Sequence, residues 1–473
     1  MSINNAIARN TIIHLAGKMF GLVLSLAGIA AITRYLGVEG FGYYITAAAF
    51  LQFFGILVDF GFTLTTVQMI ARPGVDISRV MNSVLSFRII SAGIFLTLAA
   101  ILVWFFPYNI FIKLGVLITA ASFFCISVIQ TMTGLFQQKM KMFQLTLAEV
   151  IGRVVFVGLI FLVMFLKLNI YWIFGAVTVG GLVNLGLVFF YAKNYINWKW
   201  EIDFAIWKEL VQRSWPIAIS ISFNLIYLRM DAIILSLTRT QAEVGLYGAT
   251  YRVIDILTML PAVFMGIVLP VATQYFIENK KEDLKKLLQK AFDVLMIFSV
   301  PIFFGTMTIA EPLMVFVAGK EFVLSGEILK VLIIASVAIF ATSLFAYAVV
   351  AINKQKSMMW GYLFAAITTL AGYLIFIPKF GYWGASWMTV YSEFLILIWA
   401  TIMVYKTIKF FPSMKIFIKT IPAALIMAFV LYFFSGLHVV WLLLISGLVY
   451  FSFLYLFGGI KKGTIKELLK LKS

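Results

Sequence analysis

Short polar segments interrupt the chain, and between them lie apolar runs of about 20 residues, the length of α-helix that spans a hydrocarbon core about 30 Å thick. Fourteen runs stand out, at 11–33, 42–66, 80–105, 114–135, 146–166, 170–191, 215–237, 244–271, 287–309, 328–351, 357–377, 383–405, 415–434 and 439–458. No connection between them is long enough to hold a separate folded domain. The first run exceeds the apolar core of a signal peptide and carries Lys18, so it reads as a retained span. The pattern predicts an all-α integral membrane protein with about 14 transmembrane helices.

Composition agrees, because 63% of the 473 residues are hydrophobic and only 12% are charged, far outside the range of soluble chains. The net charge of +18 raises the question of nucleic acid, but the 37 lysines and arginines are scattered among apolar stretches and build no basic face. No nucleic-acid partner is expected. A single cysteine, Cys125, allows no intrachain disulfide, and the distant His14 and His438 give no Cys/His metal cluster. The chain also lacks a Gly-x-x-x-x-Gly-Lys-Ser/Thr loop, so neither an ATP site nor any other cofactor is expected.

Lysine and arginine accumulate in cytoplasmic loops. With the N-terminus inside, 25 of them fall in inner segments and adjoining span ends, against 7 in outer ones. An even number of spans returns the C-terminus to the cytoplasm, so the net charge is mostly topology. The basic tail after Ile460 and the segment 278–290 read as solvated inner loops able to meet anionic lipid heads. Trp198, Trp200, Trp207 and Trp215 read as interfacial anchors of an amphipathic linker.

The chain also repeats itself. A shift of 203 residues lays Phe41-Gly42-Tyr43-Tyr44 over Val244-Gly245-Leu246-Tyr247, and a shift of 216 lays Phe136-Gln137-Gln138-Lys139 over Ile352-Asn353-Lys354-Gln355. Both matches fit spans 1–6 recurring as spans 7–12. Six is even, so the halves point the same way, as in transporters whose repeats are related by an axis along the membrane normal. The expected organisation is an N-terminal six-helix bundle at 1–195, a cytoplasmic linker at 196–214, a second six-helix bundle at 215–410, and two extra helices with a basic tail at 411–473.

The stretch from Asn10-Thr11 to Arg34-Tyr35-Leu36-Gly37-Val38-Glu39-Gly40-Phe41-Gly42-Tyr43-Tyr44, and Arg229-Met230-Asp231-Ala232-Ile233-Ile234-Leu235 followed by Val244-Gly245-Leu246-Tyr247, resemble the polysaccharide biosynthesis, Wzx-type oligosaccharide flippase family of the multidrug/oligosaccharidyl-lipid/polysaccharide (MOP) exporter superfamily. The resemblance extends over essentially the whole chain. It implies a MATE-like fold of two six-helix bundles around a central cavity, and no catalytic signature. It also implies alternating access that moves a polyprenyl-diphosphate-linked oligosaccharide across the plasma membrane of a prokaryote, with glycosyltransferases and a polymerase of the same pathway as partners.

Five cations lie inside apolar runs, namely Lys18, Arg88, Arg153, Arg229 and Arg252. A cation at mid-bilayer costs about 2.5–3.5 kcal/mol on insertion scales, so each must face protein or water. Glu149 and Arg153 are spaced i,i+4, and Arg252 and Asp255 i,i+3, so these pairs are open to mutual neutralisation. Lys18, Arg88 and Arg229 have no acid at helical spacing, and all five are candidates to line a cavity and grip a diphosphate. Among the acids Glu393 has no cation at i±3 or i±4 and is the first candidate for ion coupling. Asp59, Asp231 and Asp255 are further candidates for that role, or counter-charges to the arginines. Pro261, beyond Asp255 in span 8, is the position expected to bend for gating.

Other readings stay open on sequence alone. A peptidoglycan-precursor flippase or a multidrug antiporter would share the fold, although five intramembrane cations disfavour cationic drugs. A membrane-embedded glycosyltransferase or polymerase would present a large outer loop or an acidic pair, and the longest outer connection, 310–327, holds no Asp-x-Asp. A channel would show a ring of like residues.

Overall fold

The computed structural model describes residues 3–459; the side chains at 3–16, 18, 19 and seven positions between 216 and 228 fall outside the described residues. Its α-helices run α1 (Ile3–Asp59), α2 (Phe62–Ile70), α3 (Ile77–Leu102), α4 (Ile110–Gln138), α5 (Met142–Phe165), α6 (Ile170–Ala192), α7 (Phe204–Thr238), α8 (Gln241–Ile277), α9 (Lys281–Ala318), α10 (Leu324–Ala351), α11 (Gln355–Phe380), α12 (Tyr382–Ile408), α13 (Phe417–Phe433) and α14 (Val439–Leu456), with no strand among the described residues. Twelve stretches of these residues are long and apolar enough to cross a membrane, and the first, Phe20–Ile70, at 51 residues is long enough to do so twice. The chain is a multi-pass, all-α membrane protein.

The first two apolar runs belong to one helix that breaks at Gly37, where φ is 65° and ψ −173°. A side chain there would be strained, so glycine is what lets α1 turn between two spans without a loop. The second run does not continue as one helix. It stops at Asp59, passes through Phe60 (φ 41°) and Gly61 (φ 73°), and restarts as α2. The linker is also shorter than expected as a separate element: α7 begins at Phe204, capped by the Asp203 carboxylate, which accepts from the backbone N–H groups of Ala205 and Ile206.

The chain divides into two compact units within α8, Met1–Gly248 and Ala249–Ser473. In the first, α4 packs on α6, α5 on α6 and α3 on α4; in the second, α10 packs on α12, α11 on α12 and α9 on α10. Each pairing recurs six helices later, as the sequence repeat requires. Outside the repeat, α13 and α14 pack on each other and on α9.

Two details show how helix interruptions are tolerated without water. Pro301 in α9 has no N–H to give to the Ile297 carbonyl four residues earlier, and the Tyr450 hydroxyl of α14 donates to that carbonyl at 2.8 Å. The end of α14 is met by Lys419, whose Nζ donates to the Gly458 carbonyl at 2.7 Å, a cation at the negative end of a helix. Pro261 and Pro270 sit in α8 without a break in its helical backbone, whereas α9 is non-helical at Ile309, three residues before Pro312. The irregular backbone therefore lies in α9 and not at Pro261.

The repeated motif has a structural meaning in the first unit. A Cβ on Gly42 would collide with the Gln241 carbonyl, and one on Gly245 with the Val38 carbonyl. The shift of 203 that maps Gly42 onto Gly245 also maps Val38 onto Gln241, so the contact is reciprocal. One on Gly248 would strike Ile45, again its own equivalent. Thr46 donates to the Gln241 side chain at 2.6 Å beside it. In a membrane, helix association comes from close packing of small residues, and this approach is of that kind. Gly42→Ala and Gly245→Ala should each destabilise the protein by about 1–3 kcal/mol, read as a lower melting temperature in detergent. Gly158→Ala, where an added Cβ meets nothing within 4 Å, should leave it unchanged.

Candidate functional site

The intramembrane charges of the first unit divide by what surrounds them. Arg88 on α3 is 1% exposed. Its Nε donates to Thr131 Oγ1 (2.9 Å), Nη1 to the Val58 carbonyl, and Nη2 to Asp59 Oδ1 (2.5 Å) and Thr63 Oγ1 (3.0 Å). Its guanidinium also lies 5.7 Å from the Phe62 ring centre. The break after Asp59 explains the arrangement. Ending α1 leaves its last carbonyls without helical donors, and a cation there answers both the orphan carbonyl and the negative end of the helix. Asp59 meets the same cation and accepts from Thr63 Oγ1 at 2.6 Å. Sequence makes Arg88 a candidate to meet substrate; in the structure it is a buried knot tying α1, α2, α3 and α4, with its counter-charge on a different helix from its own.

Arg153 on α5 pairs with Glu149 one turn earlier at 2.5 Å and donates to the Gly21 carbonyl at 2.7 Å and to Ser25 Oγ. Asp231 on α7 is 1% exposed, accepting from the Tyr247 hydroxyl at 2.5 Å and from the backbone N–H of Ala232 at 2.7 Å. The Lys18 side chain lies outside the described residues.

Arg229 stands apart because open space adjoins it. A pocket of about 180 Å³ lies between α1 and α7, lined by Ala49, Gln52, Phe53, Ile56 and Leu57 from one and Ser222, Ile226, Arg229, Met230 and Ile233 from the other. The spacing 222, 226, 229, 233 is one face of a helix. Its walls are mostly apolar, with Gln52, Ser222 and Arg229 as the polar members. The lining is thus an apolar surface with one cationic group on it.

In the second unit Arg252 and Asp255 lie 3.9 Å apart on α8, both partly exposed. Glu393 on α12 is 4% exposed, with Tyr362 of α11 within electrostatic reach. Among the described residues Glu393 makes no ion pair, and no cluster of three or more potential metal ligands is found. Within the first unit Arg88, Arg153 and Arg229 occupy three different helix contacts. Sequence spacing did not find Gln52 and Ser222, since only their presence beside Arg229 distinguishes them from ordinary intramembrane polar residues.

Comparisons with known proteins agree with this architecture. Residues 7–276 match the family described as polysaccharide biosynthesis protein. A protein of Haloferax volcanii named probable low-salt glycan biosynthesis flippase Agl15 is 22% identical over 396 residues, covering 82% of this chain and 81% of its own. The putative O-antigen transporter of Shigella dysenteriae is 23% identical over 379 residues, covering 77% and 92%. Among solved structures, the lipid II flippase MurJ in an inward closed conformation matches with a TM-score of 0.77 at 19% identity, covering 94% of this chain and 98% of that one. An inward-facing multidrug resistance MATE family transporter of the MOP superfamily matches at 0.68 and 14% identity, covering 84% and 98%. The fold is MATE-like, and the named relatives are transporters, not enzymes.

The Arg88 knot yields a test. Arg88→Ala leaves the buried Val58 carbonyl without its donor and the partly exposed Asp59, which keeps only Thr63, without its counter-charge; this should cost about 2–4 kcal/mol, somewhat less than breaking a fully buried pair, and lower both membrane abundance and melting temperature. Arg88→Met with Asp59→Asn should recover part of the loss, because no charge is then left alone. An Arg88→Ala protein as stable and abundant as the parent would show that the knot is not structural.

Proposed function

This chain belongs to the polysaccharide biosynthesis protein family, and from that premise we propose that it is a flippase that moves a polyprenyl-diphosphate-linked oligosaccharide across a prokaryotic plasma membrane, with both termini in the cytoplasm. The glycan passes through the protein while the polyprenyl tail stays in lipid. The observation that carries this reading is the pocket at Arg229, an apolar-walled space of about 180 Å³ with a guanidinium on its lining. A lipid diphosphate has that combination of an anionic group and a long apolar chain, and guanidinium grips phosphate oxygens with two hydrogen bonds. The relatives named as a glycan biosynthesis flippase and an O-antigen transporter support a glycan as cargo over a peptidoglycan precursor.

Arg88 drops out of the binding set on this reading, since its donors are taken. Arg229 is the leading contact, with Lys18, Arg153 and Arg252 as further cations along the route and glycosyltransferases and a polymerase as pathway partners. Alternating access needs contacts that form for one state and part for the other, and the reciprocal approach of Gly42 and Gly245 is suited to that, being tight and made of backbone surface.

Arg229→Ala should still reach the membrane at near-parental abundance, because losing an intramembrane charge eases insertion. Translocation of a lipid-linked oligosaccharide in proteoliposomes should fall about tenfold or more, the loss of one charge-assisted contact. Arg229→Lys should recover only part. Normal translocation by a stable Arg229→Ala protein would remove Arg229 from the mechanism.

Ion coupling is assigned to Glu393 first and to Asp255, Asp231 and Asp59 after it. A carboxyl 4% exposed within a helix bundle is expensive to ionise without a counter-ion, which suits a group that takes up and releases a proton or cation as access alternates. Glu393→Gln preserves shape and removes that exchange. Transport should slow and lose its dependence on pH or on sodium, with no fall in melting temperature. A parental pH and sodium profile in the variant would leave Glu393 as a packing residue.

A further inference from the structure

A second cavity, lined by other residues than the Arg229 pocket, opens beside the start of α3. It has a volume of about 480 Å³, and Arg79, Asn82, Lys193, Asn197, Lys199 and Glu201 are among its lining residues. Its walls are built and held. The segment after α6 is stitched to α3 by Asn82 Nδ2 donating to the Asn197 carbonyl (3.2 Å), the Glu201 N–H to Ser86 Oγ (3.0 Å), Trp207 Nε1 to the Ser83 carbonyl (3.0 Å), and an Arg79–Asp203 ion pair (2.7 Å). The backbone N–H of Ile206 first, and then the Arg79 guanidinium, hold the Asp203 carboxyl below the usual carboxylate range. Arg79 is thereby committed to the wall.

Three groups are not so committed. Lys193 and Lys199 are exposed on the lining and have no carboxylate partner among the described residues; Lys193 lies over the Phe190 ring at 4.2 Å. Asn82 is 4% exposed, and its Oδ1 has no hydrogen-bond donor although its Nδ2 is fixed on Asn197. A buried amide oxygen without a donor costs about 1–3 kcal/mol, so the cavity wants a hydroxyl or amine. Lys193 and Lys199 offer ammonium groups to an anion beside it; the carboxylates on the same lining are Asp76 and Glu201, and Glu201 lies 3.7 Å from Arg79.

We propose that this cavity binds a phosphorylated polyol, with the phosphate held by Lys193 and Lys199 and a hydroxyl facing Asn82 Oδ1. Trp198 and Trp200 are 43% and 51% exposed on the same segment, the position tryptophan takes at the level of lipid head groups. The chemistry is that of a phosphoglycerol head group of an anionic phospholipid, and equally of a soluble sugar or glycerol phosphate. The site is independent of the transport reading and shares no residue with the Arg229 pocket.

The full-length protein in neutral detergent should rise in melting temperature on titration with phosphatidylglycerol and not with phosphatidylcholine. Lys193→Gln with Lys199→Gln, both on exposed positions, should fold normally and need at least tenfold more phosphatidylglycerol for the same rise. Lys280→Gln with Lys281→Gln, on a different basic loop, should respond like the parent. Asn82→Ala should narrow the preference for phosphatidylglycerol over phosphatidic acid, which has no head-group hydroxyl beyond its phosphate. Glycerol 3-phosphate at millimolar concentration separates the sources: a rise that the double lysine variant loses assigns the site to a soluble ligand, and no rise alongside a phosphatidylglycerol effect assigns it to lipid. Equal responses to phosphatidylglycerol and phosphatidylcholine with none to glycerol 3-phosphate, or responses that survive the double lysine substitution, would overturn the proposal.

Discussion

Hydrocarbon supplies no hydrogen bonds, so a helix that ends or carries charge inside it must find every partner within the protein. The end of α1 at Asp59 is where that constraint bears hardest. Arg88 meets it by serving the Val58 carbonyl and the Asp59 carboxylate together, and the turn through Phe60 and Gly61 then sends the chain into α2. The placement of α2 and of the start of α7 hangs on that turn. Thr65 of α2 accepts from the Ser214 hydroxyl of α7 at 2.7 Å, and Arg72, just beyond α2, pairs with Glu209 of α7 at 2.6 Å. These contacts fix the first turns of α7, whose later face lines the Arg229 pocket. A buried arginine with its donors engaged by protein thus lies at the turn from which α2 and α7 are held, and α7 is the helix that carries Arg229.

The same constraint explains why repeated glycines matter more than repeated charges. An ion pair between two spans must be desolvated and matched at every position it occupies, which favours one fixed arrangement. A glycine contact such as Gly42 with Gln241 and Gly245 with Val38 relies on backbone surfaces approaching closely, with no buried charge left uncompensated when they separate. A sequence repeat preserving Gly at positions 42 and 245 therefore keeps a two-sided contact, since each glycine receives the carbonyl that lies four residues before the other.

Apolar run length gave the multi-pass helical architecture and the order of its helices, because a hydrocarbon slab imposes one length scale on every helix. The i,i+4 and i,i+3 spacings gave the Glu149–Arg153 and Arg252–Asp255 pairs, since both partners share a helix. The partner of Arg88 was not legible: Asp59 lies 29 residues away on another helix, and no periodicity within one span points across to the next. Nor was the break at Phe60–Gly61, because an apolar run reads the same whether its helix is continuous or interrupted. The site was legible only as a set of costly charges. Which of them adjoins open volume is a property of packing, and Gln52 and Ser222 carry no sequence signal at all.

Cost alone does not separate structural from functional charges in a membrane. Arg88, Arg153 and Arg229 would each be equally expensive against lipid, and each lies at a helix contact, so the expense is met in every case. What differs is the room left beside the charge. Arg88 at 1% exposure has its guanidinium walled by three hydroxyl- or carboxylate-bearing side chains, one carbonyl and a ring, so an incoming anion would have to displace Asp59 and expose a helix end. Arg229 adjoins about 180 Å³ bounded mainly by apolar side chains, where on the proposed function a phosphate would have volume to occupy and would gain an electrostatic interaction that little water dilutes. The free energy available to a ligand is the difference between what the cation has before and after it arrives. That difference is smallest at the knot, where a partner must leave before an anion can enter, and larger beside open apolar space, where an anion can be added to the contacts already made.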